Sequence, residues 1–267
     1  MIQTLRRLAI GLVVLIVVTV ISDADTVSEV FRPQPAGVVH VVALGDSVTS
    51  GTNCNCSAFP QMYGDLLHDR DRTAVSVENM GVGGMDSGGL LQALDQHDSP
   101  TQLATAQANV VLLTIGANDF GDHHDDVTSG QCAGDCVSDE YEQLTVNLDK
   151  ILARIHTLRD NLPTTILMTG YWNVFKDGDV AKRQYTESGR VASNQLTLRT
   201  NSAINAAAAA DDATYVDIYT PFEHSANITS LLASDGDHPN TAGHQLIADV
   251  LLAATPNPLP KSPRQGG

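Results

Sequence analysis

Short apolar runs separated by longer amphipathic stretches dominate the middle of the chain. Residues 38–44 and 110–115 are almost entirely apolar. Such runs are typical of strands that are buried on both faces of a parallel sheet. Three further short runs predict additional strands at residues 75–79, 165–169 and 215–218. The pattern therefore predicts a sheet of about five strands.

The stretches between these runs carry apolar residues at helical spacing. The clearest covers residues 140–160, where one face is formed by Leu144, Leu148, Ile151, Leu152, Ile155 and Leu158. Helices are also predicted at residues 59–70, 89–95, 101–108, 192–210 and 241–254, the last with an N-cap at Asn240 or Thr241. Residues 116–137 are predicted to form a long polar loop. Strands that alternate with helices predict a doubly wound α/β fold, in which ligands bind at the carboxyl ends of the strands.

The N-terminal segment has a different composition. Arg6 and Arg7 precede an apolar run at residues 8–21. This run is shorter than the roughly 20 residues that a membrane-spanning helix needs, and it is typical of a signal-peptide core. Ser22 and Ala24 are small residues at which cleavage can occur. We predict a signal peptide at residues 1–24, with an uncleaved N-terminal anchor as the alternative, and export in either case.

Proline and glycine mark the remaining boundaries. Residues 25–37, which include Pro33 and Pro35, are predicted to form a linker. Residues 256–267 are predicted to form a disordered tail. The globular domain is then expected at residues 38–255, a size that favours one domain.

The charge balance limits the possible partners. The chain has 31 acidic and 15 basic side chains, for a net charge of −16. Phosphate binding needs clustered lysine and arginine, so this composition argues against a nucleic-acid partner. The same sign repels anionic lipid surfaces, so a membrane contact is expected only through an uncleaved N-terminal segment.

The four cysteines form two local pairs, Cys54 with Cys56 and Cys132 with Cys136. An even number of cysteines in an exported protein indicates disulfides. We favour the local pairings, and a cross-link between the two loops is the alternative. Neither spacing is the C-x2-C of a zinc site, and only His123 and His124 lie close enough in sequence to add ligands, so structural zinc is disfavoured.

Four segments with catalytic potential follow predicted strands or precede the last helix. They are Gly45-Asp46-Ser47, residues 79–84 with three glycines, Gly116-Ala117-Asn118-Asp119, and residues 235–238. A serine on a tight turn after a buried strand has the position typical of a nucleophile. Such a serine can also be a helix N-cap. An asparagine amide can donate to a developing oxyanion, or simply form an Asx-turn. Asp235, three residues before His238, can hold the imidazole in the tautomer that accepts a proton.

Together and in this order, the four segments resemble the GDSL family of SGNH hydrolases, from about residue 38 to 254. The resemblance implies a flavodoxin-like, three-layer α/β/α sandwich with a central parallel sheet. The G-x-S-x-G pentapeptide of α/β-hydrolases is absent around Ser47, because Thr49 stands where the second glycine would be. Its absence favours the flavodoxin-like sheet over the α/β-hydrolase fold.

The resemblance also implies roles for individual residues. Ser47 is implied as the nucleophile, His238 as the general base and later acid, and Asp235 as the residue that orients it. The oxyanion hole is implied to consist of the backbone N–H groups of Ser47 and Gly84 and the side chain of Asn118. Gly84 is chosen over its neighbouring glycines because it lies five residues after Asn79, the N-x4-G spacing of the family.

Other polar residues near these segments are expected to have different roles. His244 lies on the last predicted helix and is expected to be structural. Asp237 adjoins His238 and is expected to point elsewhere, and Ser87 lacks a strand directly before it. The acidic run at residues 122–126 fits a solvated loop better than a metal cluster.

The substrate pocket is expected to include Asp46, Phe120 and Trp172. Phe120 opens the loop at residues 120–137, which should border the active site. Trp172 follows the fourth predicted strand, where packing over the sheet edge is the alternative to lining a pocket.

The sequence therefore predicts a secreted, monomeric serine esterase or lipase that needs no metal or organic cofactor. Its substrate is expected to be a small-molecule, lipid or acylated-carbohydrate ester. A carbohydrate or peptidoglycan O-acetyl esterase is the main alternative, and a non-catalytic secreted binding protein is another, for which a lost catalytic group would be the sign. Activity is expected to rise with pH as the histidine deprotonates, at about pH 6–7 for an unperturbed imidazole.

Overall fold

Five strands form one parallel sheet at the centre of the protein. The computed structural model describes residues 37–132 and 135–260. The strands are β1 Val38–Gly45, β2 Ala74–Asn79, β3 Val110–Thr114, β4 Thr165–Thr169 and β5 Thr214–Val216. They are ordered β2-β1-β3-β4-β5, and every neighbouring pair is parallel. The predicted α/β fold with a five-stranded parallel sheet is confirmed.

The central strands are the most apolar because both of their faces are covered. Every residue of β3 and of β4 is buried. β1 pairs with β3 from Val41 opposite Val110 to Gly45 opposite Thr114. β2 lies at the edge of the sheet; its four middle residues are partly buried and its two end residues are exposed.

Helices connect the strands and cover the sheet. In chain order they are α1 Ser47–Ser50, α2 Phe59–Asp71, α3 Ser87–Asp95, α4 Pro100–Gln107, α5 His124–Thr128, α6 Ser138–Leu158, α7 Gly178–Gln184, α8 Glu187–Ala210, α9 Tyr219–Glu223 and α10 Thr241–Ala254. Short 3-10 helices lie at Asn118–His123, Asp135–Val137 and Ile228–Leu231.

The strand order divides these helices between two layers. The chain first moves from β1 to the edge strand β2, and then crosses back through β3, β4 and β5. Right-handed crossovers place helices on opposite faces when the direction reverses. Accordingly, α2 packs against α10, whereas α3 packs against α6 and α6 against α8. The result is a three-layer α/β/α sandwich.

The structure corrects two sequence expectations. The predicted loop at residues 116–137 contains α5 and two 3-10 helices, and it is anchored by the buried side chains of Phe120, Val127 and Val137. Helix α8 begins at Glu187, five residues before the predicted start. Its true start is set by Thr186, whose Oγ1 accepts the N–H of Gly189, while the polar residues of the first turn hide the apolar periodicity.

The last helix begins where the sequence predicts it. The Oδ1 atom of Asn240 accepts the N–H groups of Ala242 and Gly243, so Asn240 is the N-cap. Capping by an asparagine side chain satisfies two amide groups that have no partner within the helix. This cap fixes the start of α10 directly after His238 and Pro239.

Most of the predicted terminal segments lie outside the described residues. These are the signal peptide at 1–24, the linker except Gly37, and residues 261–267 of the tail. The first part of the predicted tail, residues 256–260, is described, and the Arg70 guanidinium donates to the carbonyls of Thr255 and Pro256. Over the described ranges, no helix has the length and apolar character needed to cross a bilayer.

Candidate active site

Ser47 lies just past the carboxyl end of β1, an interior strand of the sheet, as the first residue of the one-turn helix α1. The turn before it requires glycine. Gly45 has a φ of 143°, and a β-carbon there would lie 2.0 Å from the carbonyl oxygen of Thr114 on β3. Because Gly45 has no side chain, the backbone of β1 lies close to β3 at this point. Ser47 follows at the carboxyl end of the strands, where it is half-buried.

Asp46 is the residue that caps this short helix. Its Oδ1 atom accepts the N–H of Val48 at 2.9 Å, and its Oδ2 atom accepts the hydroxyl of Tyr171 at 2.5 Å. Burial raises the pKa of Asp46 to about 6. Ser47 is thus not the N-cap, and the aspartate of the Gly-Asp-Ser segment joins the end of β1 to Tyr171, two residues after the end of β4.

His238 and Asp235 come together in the turn that precedes α10. The ring Nδ1 of His238 lies 2.8 Å from Asp235 Oδ2, and the backbone N–H groups of Asp237 and His238 donate to Asp235 Oδ1 at 2.9 and 3.1 Å. The turn is closed by a 2.7 Å bond from Ala233 N to His238 O. Because Nδ1 donates to the carboxylate, Nε2 is the ring nitrogen that can accept a proton.

The hydrogen bonds also determine the charge of Asp235. Burial raises its pKa, but the bonds from the Asp237 N–H and from the ring and N–H of His238 outweigh that effect and lower the pKa to about 2. Asp235 is therefore ionised at neutral pH. Its neighbour Asp237 makes no side-chain hydrogen bond to the ring within the described chain, and burial raises the pKa of its carboxyl.

The glycine-rich segment after β2 packs directly on α1. Asn79 Nδ2 donates to the carbonyl of Thr49 at 2.7 Å, and Asn79 Oδ1 accepts the N–H of Gly81. A β-carbon on Gly81 would lie 2.5 Å from the backbone nitrogen of Ser50, so the close approach requires glycine. Gly84, with a φ of 78°, is exposed, and a β-carbon there would meet no atom within 4 Å. The segment therefore borders open space beside α1.

Asn118 begins the 3-10 helix that follows β3. Its Nδ2 donates to the carbonyl of Met85 at 2.9 Å, next to Gly84 in the chain. An amide NH₂ group carries two hydrogens, so one remains for a ligand. The structure thus brings Asn118 next to the segment that contains Gly84.

Asp119 and Ser87 connect the segment of Asn118 to the glycine-rich segment by two hydrogen bonds. Asp119 Oδ2 accepts the N–H of Ser87 at 3.0 Å, and Asp119 Oδ1 accepts its hydroxyl. Asn147 on α6 donates to that hydroxyl at 2.8 Å. Ser87, which is fully buried, is therefore a structural residue that fixes the glycine segment relative to Asn118. The sequence carried no clear signal for this role, since the partners are distant along the chain.

Asn53 also contacts the residues of this site, although no pattern in the sequence points to it. Its Nδ2 donates to Asp235 Oδ2 at 2.6 Å, from the turn that follows α1. This bond links the segment of Ser47 to the turn of His238. Between the Ser47 hydroxyl and the His238 ring themselves, no hydrogen bond is present in the part of the chain that the structure describes. Such bonds are often long before substrate binds.

The three residues expected to line the substrate pocket are buried. Asp46, Phe120 and Trp172 each expose at most 1% of their surface. Trp172 stacks on Phe222 with ring centroids 4.5 Å apart, and Phe120 belongs to the hydrophobic core. This differs from the prediction: both aromatic side chains turn inward because the sheet edge needs apolar cover, and Asp46 turns inward to cap α1.

The cysteines are joined as two local disulfides, Cys54 with Cys56 and Cys132 with Cys136. The sulfur atoms of the first pair lie within 4.8 Å of a ring nitrogen of His244. Because each sulfur is bonded to the other, neither offers a thiolate to a metal. The two histidines considered as further ligands have separate partners, since His123 pairs with Glu140 at 2.9 Å and His124 Nε2 lies 3.0 Å from the hydroxyl of Tyr185.

His244 is fully buried on α10, and among the described residues its ring makes no hydrogen bond to Ser47. Its Nδ1 accepts the N–H of Phe59 at 3.2 Å, and its Nε2 has no partner among the described residues. Burial, helped by the nearby His238, lowers the pKa of His244 to about 4. A neutral ring in the Nε2–H tautomer is the form that this environment accepts, in agreement with a structural role.

His244 should therefore make the protein's stability depend on pH. An unfolded histidine titrates near 6.5, so the unfolded state binds the extra proton first as the pH falls. The contribution of His244 to the free energy of unfolding should be complete above about pH 6.5 and should drop by roughly 3 kcal/mol by about pH 4. Urea unfolding at pH 7.5 and 5.0 measures this effect.

The control for this prediction is His244→Gln, because Asp46 acts in the opposite direction over the same pH range. The raised pKa of Asp46 adds stability as the pH falls, and it does so in both proteins. The stability difference between the wild type and His244→Gln should thus be smaller at pH 5.0 than at pH 7.5. An equal difference at the two pH values would contradict the prediction.

Comparisons with solved structures give the same fold. A lipase from a goat rumen metagenome, Lip_vut3, is 17% identical with a TM-score of 0.66, covering 81% of this chain and 97% of its own. An extracellular lipase from Streptomyces rimosus is 20% identical with a TM-score of 0.59, covering 81% and 100%. The acetyl xylan esterase AlAXEase is 16% identical with a TM-score of 0.55, covering 81% and 99%.

The comparison of sequences assigns the family. A search of curated protein sequences gives no match. The profile of the GDSL-like lipase/acylhydrolase family matches residues 43–246, a range that includes all four segments described above. The chain belongs to the GDSL-like lipase/acylhydrolase family, and it is an ester hydrolase.

Proposed function

We propose that this ester hydrolase works through an acyl-enzyme intermediate on Ser47. The Ser47 hydroxyl attacks the ester carbonyl while His238 Nε2 takes its proton, and that proton then passes to the departing alcohol. Water, deprotonated by the same nitrogen, releases the acid and restores the serine. Asp235 holds the ring at Nδ1 and stabilises its protonated form. Serine chemistry of this kind uses no metal or organic cofactor.

The oxyanion of each tetrahedral intermediate is proposed to bind three N–H groups. They are the backbone N–H groups of Ser47 and Gly84 and the second side-chain N–H of Asn118. The Met85 carbonyl supports this assignment, because it occupies one hydrogen of the Asn118 amide and so fixes the direction of the other.

The observation that carries the proposal is a set of contacts between segments distant in sequence. Asn79 bonds to Thr49 in the Ser47 helix, Asn118 bonds to Met85 beside Gly84, and Asn53 bonds to Asp235. Nucleophile, oxyanion donors and the aspartate–histidine pair therefore share one end of the sheet. This is where ligands bind in open α/β folds.

Labelling with a fluorophosphonate tests the nucleophile. Such a probe phosphonylates an activated serine, so we expect one adduct, located on the peptide that contains Ser47. Ser47→Ala should give no adduct, whereas Ser57→Ala, which changes an exposed serine in the next turn, should label like the wild type. An adduct on another residue, or one retained in Ser47→Ala, would refute the proposal.

We infer that the substrates are carboxylic esters of small molecules, lipids or acylated carbohydrates. Lipases and an acetyl xylan esterase share the fold, which supports each of these classes. Kinetics with p-nitrophenyl esters of increasing chain length, compared with acetylated xylan, separate them. Preference for acetylated xylan would indicate an O-acetyl esterase, and preference for long acyl chains would indicate a lipase.

Export and the monomeric state stay predictions. The segment that predicts export, residues 1–24, lies outside the described residues, and so does any membrane contact that it would make.

A further inference from the structure

The side chain of Asn53 reaches the residue pair proposed for proton transfer. Asn53 Nδ2 donates to Asp235 Oδ2 at 2.6 Å and lies 3.5 Å from His238 Nδ1. His238 Nδ1 donates to the same carboxylate oxygen at 2.8 Å. One oxygen of Asp235 therefore accepts hydrogen bonds from both side chains.

The two oxygens of Asp235 are held in different ways. Oδ1 accepts backbone N–H groups of its own turn, from Asp237 and His238. Oδ2 accepts from the His238 ring and, within the described chain, from one group outside the turn, the Asn53 amide. Without Asn53, the oxygen that sets the tautomer and the angle of the ring would be held only by that ring.

The backbone around Asn53 keeps this exposed side chain in place. The turn is anchored to α1, because Thr52 N donates to the carbonyl of Ser47 at 3.0 Å. Asn53 and Asn55 have φ values of 59° and 51°, in the left-handed region that asparagine tolerates. The Cys54–Cys56 disulfide closes the loop around Asn55. A cross-link of this kind restricts the chain directly after Asn53.

We propose that Asn53 is a positioning residue of this ester hydrolase, which acts on His238 through Asp235. Its amide orients the Asp235 carboxylate and shares the negative charge of Oδ2. This inference rests on the proposed roles of Asp235 and His238. It adds a residue outside the four segments that carry the family resemblance.

The proposal has an electrostatic consequence that a purely structural role lacks. A donor on Oδ2 weakens the attraction between the carboxylate and the protonated ring. Removing that donor should favour the protonated ring and move the acidic limb of the activity profile to higher pH. Among the described residues, the other titratable groups near the ring are Asp46, Asp237 and the neutral His244, and all of them remain when Asn53 is changed.

The test compares Asn53→Ala and Asn53→Asp with the matched control Asn55→Ala. Asn55 is also exposed and left-handed, in the same loop, and its side chain has no hydrogen bond among the described residues. Both alanine variants should therefore lose a similar amount of stability from placing alanine in the left-handed conformation. The readouts are kcat and KM from pH 5 to 9 and the melting temperature.

Asn53→Ala should lower kcat about tenfold near neutral pH, with KM nearly unchanged, as expected for a lost hydrogen bond to an ionised group. Its acidic limb should move to higher pH, and that of Asn53→Asp should move further, because the new carboxylate favours the protonated ring. Asn55→Ala should match the wild type in kcat and in its acidic limb.

Two results would overturn the proposal: profiles of Asn53→Ala and Asn55→Ala that coincide, or an acidic limb of Asn53→Asp that stays in place or moves to lower pH. Failure of the underlying mechanism gives a different result, because Ser47→Ala would then keep its activity. An inactive Ser47→Ala together with an unmoved limb in the Asn53 variants refutes the positioning role alone.

Discussion

Ser47→Ala should lower kcat for ester hydrolysis by about 10⁵- to 10⁶-fold, the scale of loss when the nucleophile of a serine triad is removed. Alanine has no oxygen to accept the acyl group, and the oxyanion donors alone give only residual catalysis. Steady-state hydrolysis of p-nitrophenyl acetate measures the effect.

The fold should survive this change. The Ser47 hydroxyl makes no hydrogen bond within the described residues, and Asp46 rather than Ser47 caps α1. The stability change should therefore stay within about 0.5 kcal/mol, as is usual away from buried contacts. Ser57→Ala serves as the activity control. Substantial turnover by a folded Ser47→Ala protein would exclude the serine mechanism.

Asn118→Ala should lower kcat by about 10²- to 10³-fold and leave KM nearly unchanged. The reason is that the second N–H of its amide is proposed to bind charge that develops only in the transition state. The variant also loses the bond to the Met85 carbonyl, which should cost about 1 kcal/mol of stability. Initial-rate kinetics together with thermal unfolding separate the two effects.

Asp119→Ala is the matched comparison for Asn118→Ala. It leaves the Asn118 amide in place but removes the partner of the Ser87 N–H and hydroxyl, a buried loss of about 1–3 kcal/mol. Asp119→Ala should therefore be the less stable variant and Asn118→Ala the less active one. If Asn118→Ala kept kcat within tenfold of the wild type, Asn118 would not be an oxyanion donor.

The Gly-Asp-Ser segment illustrates why a motif residue need not touch substrate. Asp46 is completely buried, and its two oxygens accept the Val48 N–H and the Tyr171 hydroxyl. Burial raises the pKa of Asp46 to about 6, which means that the folded protein bears a cost for the ionised form at neutral pH. The two hydrogen bonds of Asp46 connect the start of the Ser47 helix to the segment after β4.

The amino-acid sequence alone predicts the order of the five strands and of the six longest helices, together with the four segments that follow strands or precede α10, whereas the shorter helices α1, α5, α7 and α9 were not predicted. Apolar periodicity, glycine turns and the Asn240 cap are local properties, which short stretches of chain specify through sterics and capping. The order of elements also determined which residues lie at the carboxyl ends of the strands. The Asp235–His238 contact belongs to this group, because its partners are only three residues apart.

The direction of the other side chains depends on how distant parts of the chain pack together. Phe120 lies in the 3-10 helix that follows β3, and Trp172 lies three residues after β4. From either position a side chain can point toward solvent or toward the core, and both are buried in the core. The contact of Asn53 with Asp235 spans 182 residues, and that of Ser87 with Asp119 spans 32. Contacts of this kind form only when distant segments pack together, and no local pattern in the chain specifies them.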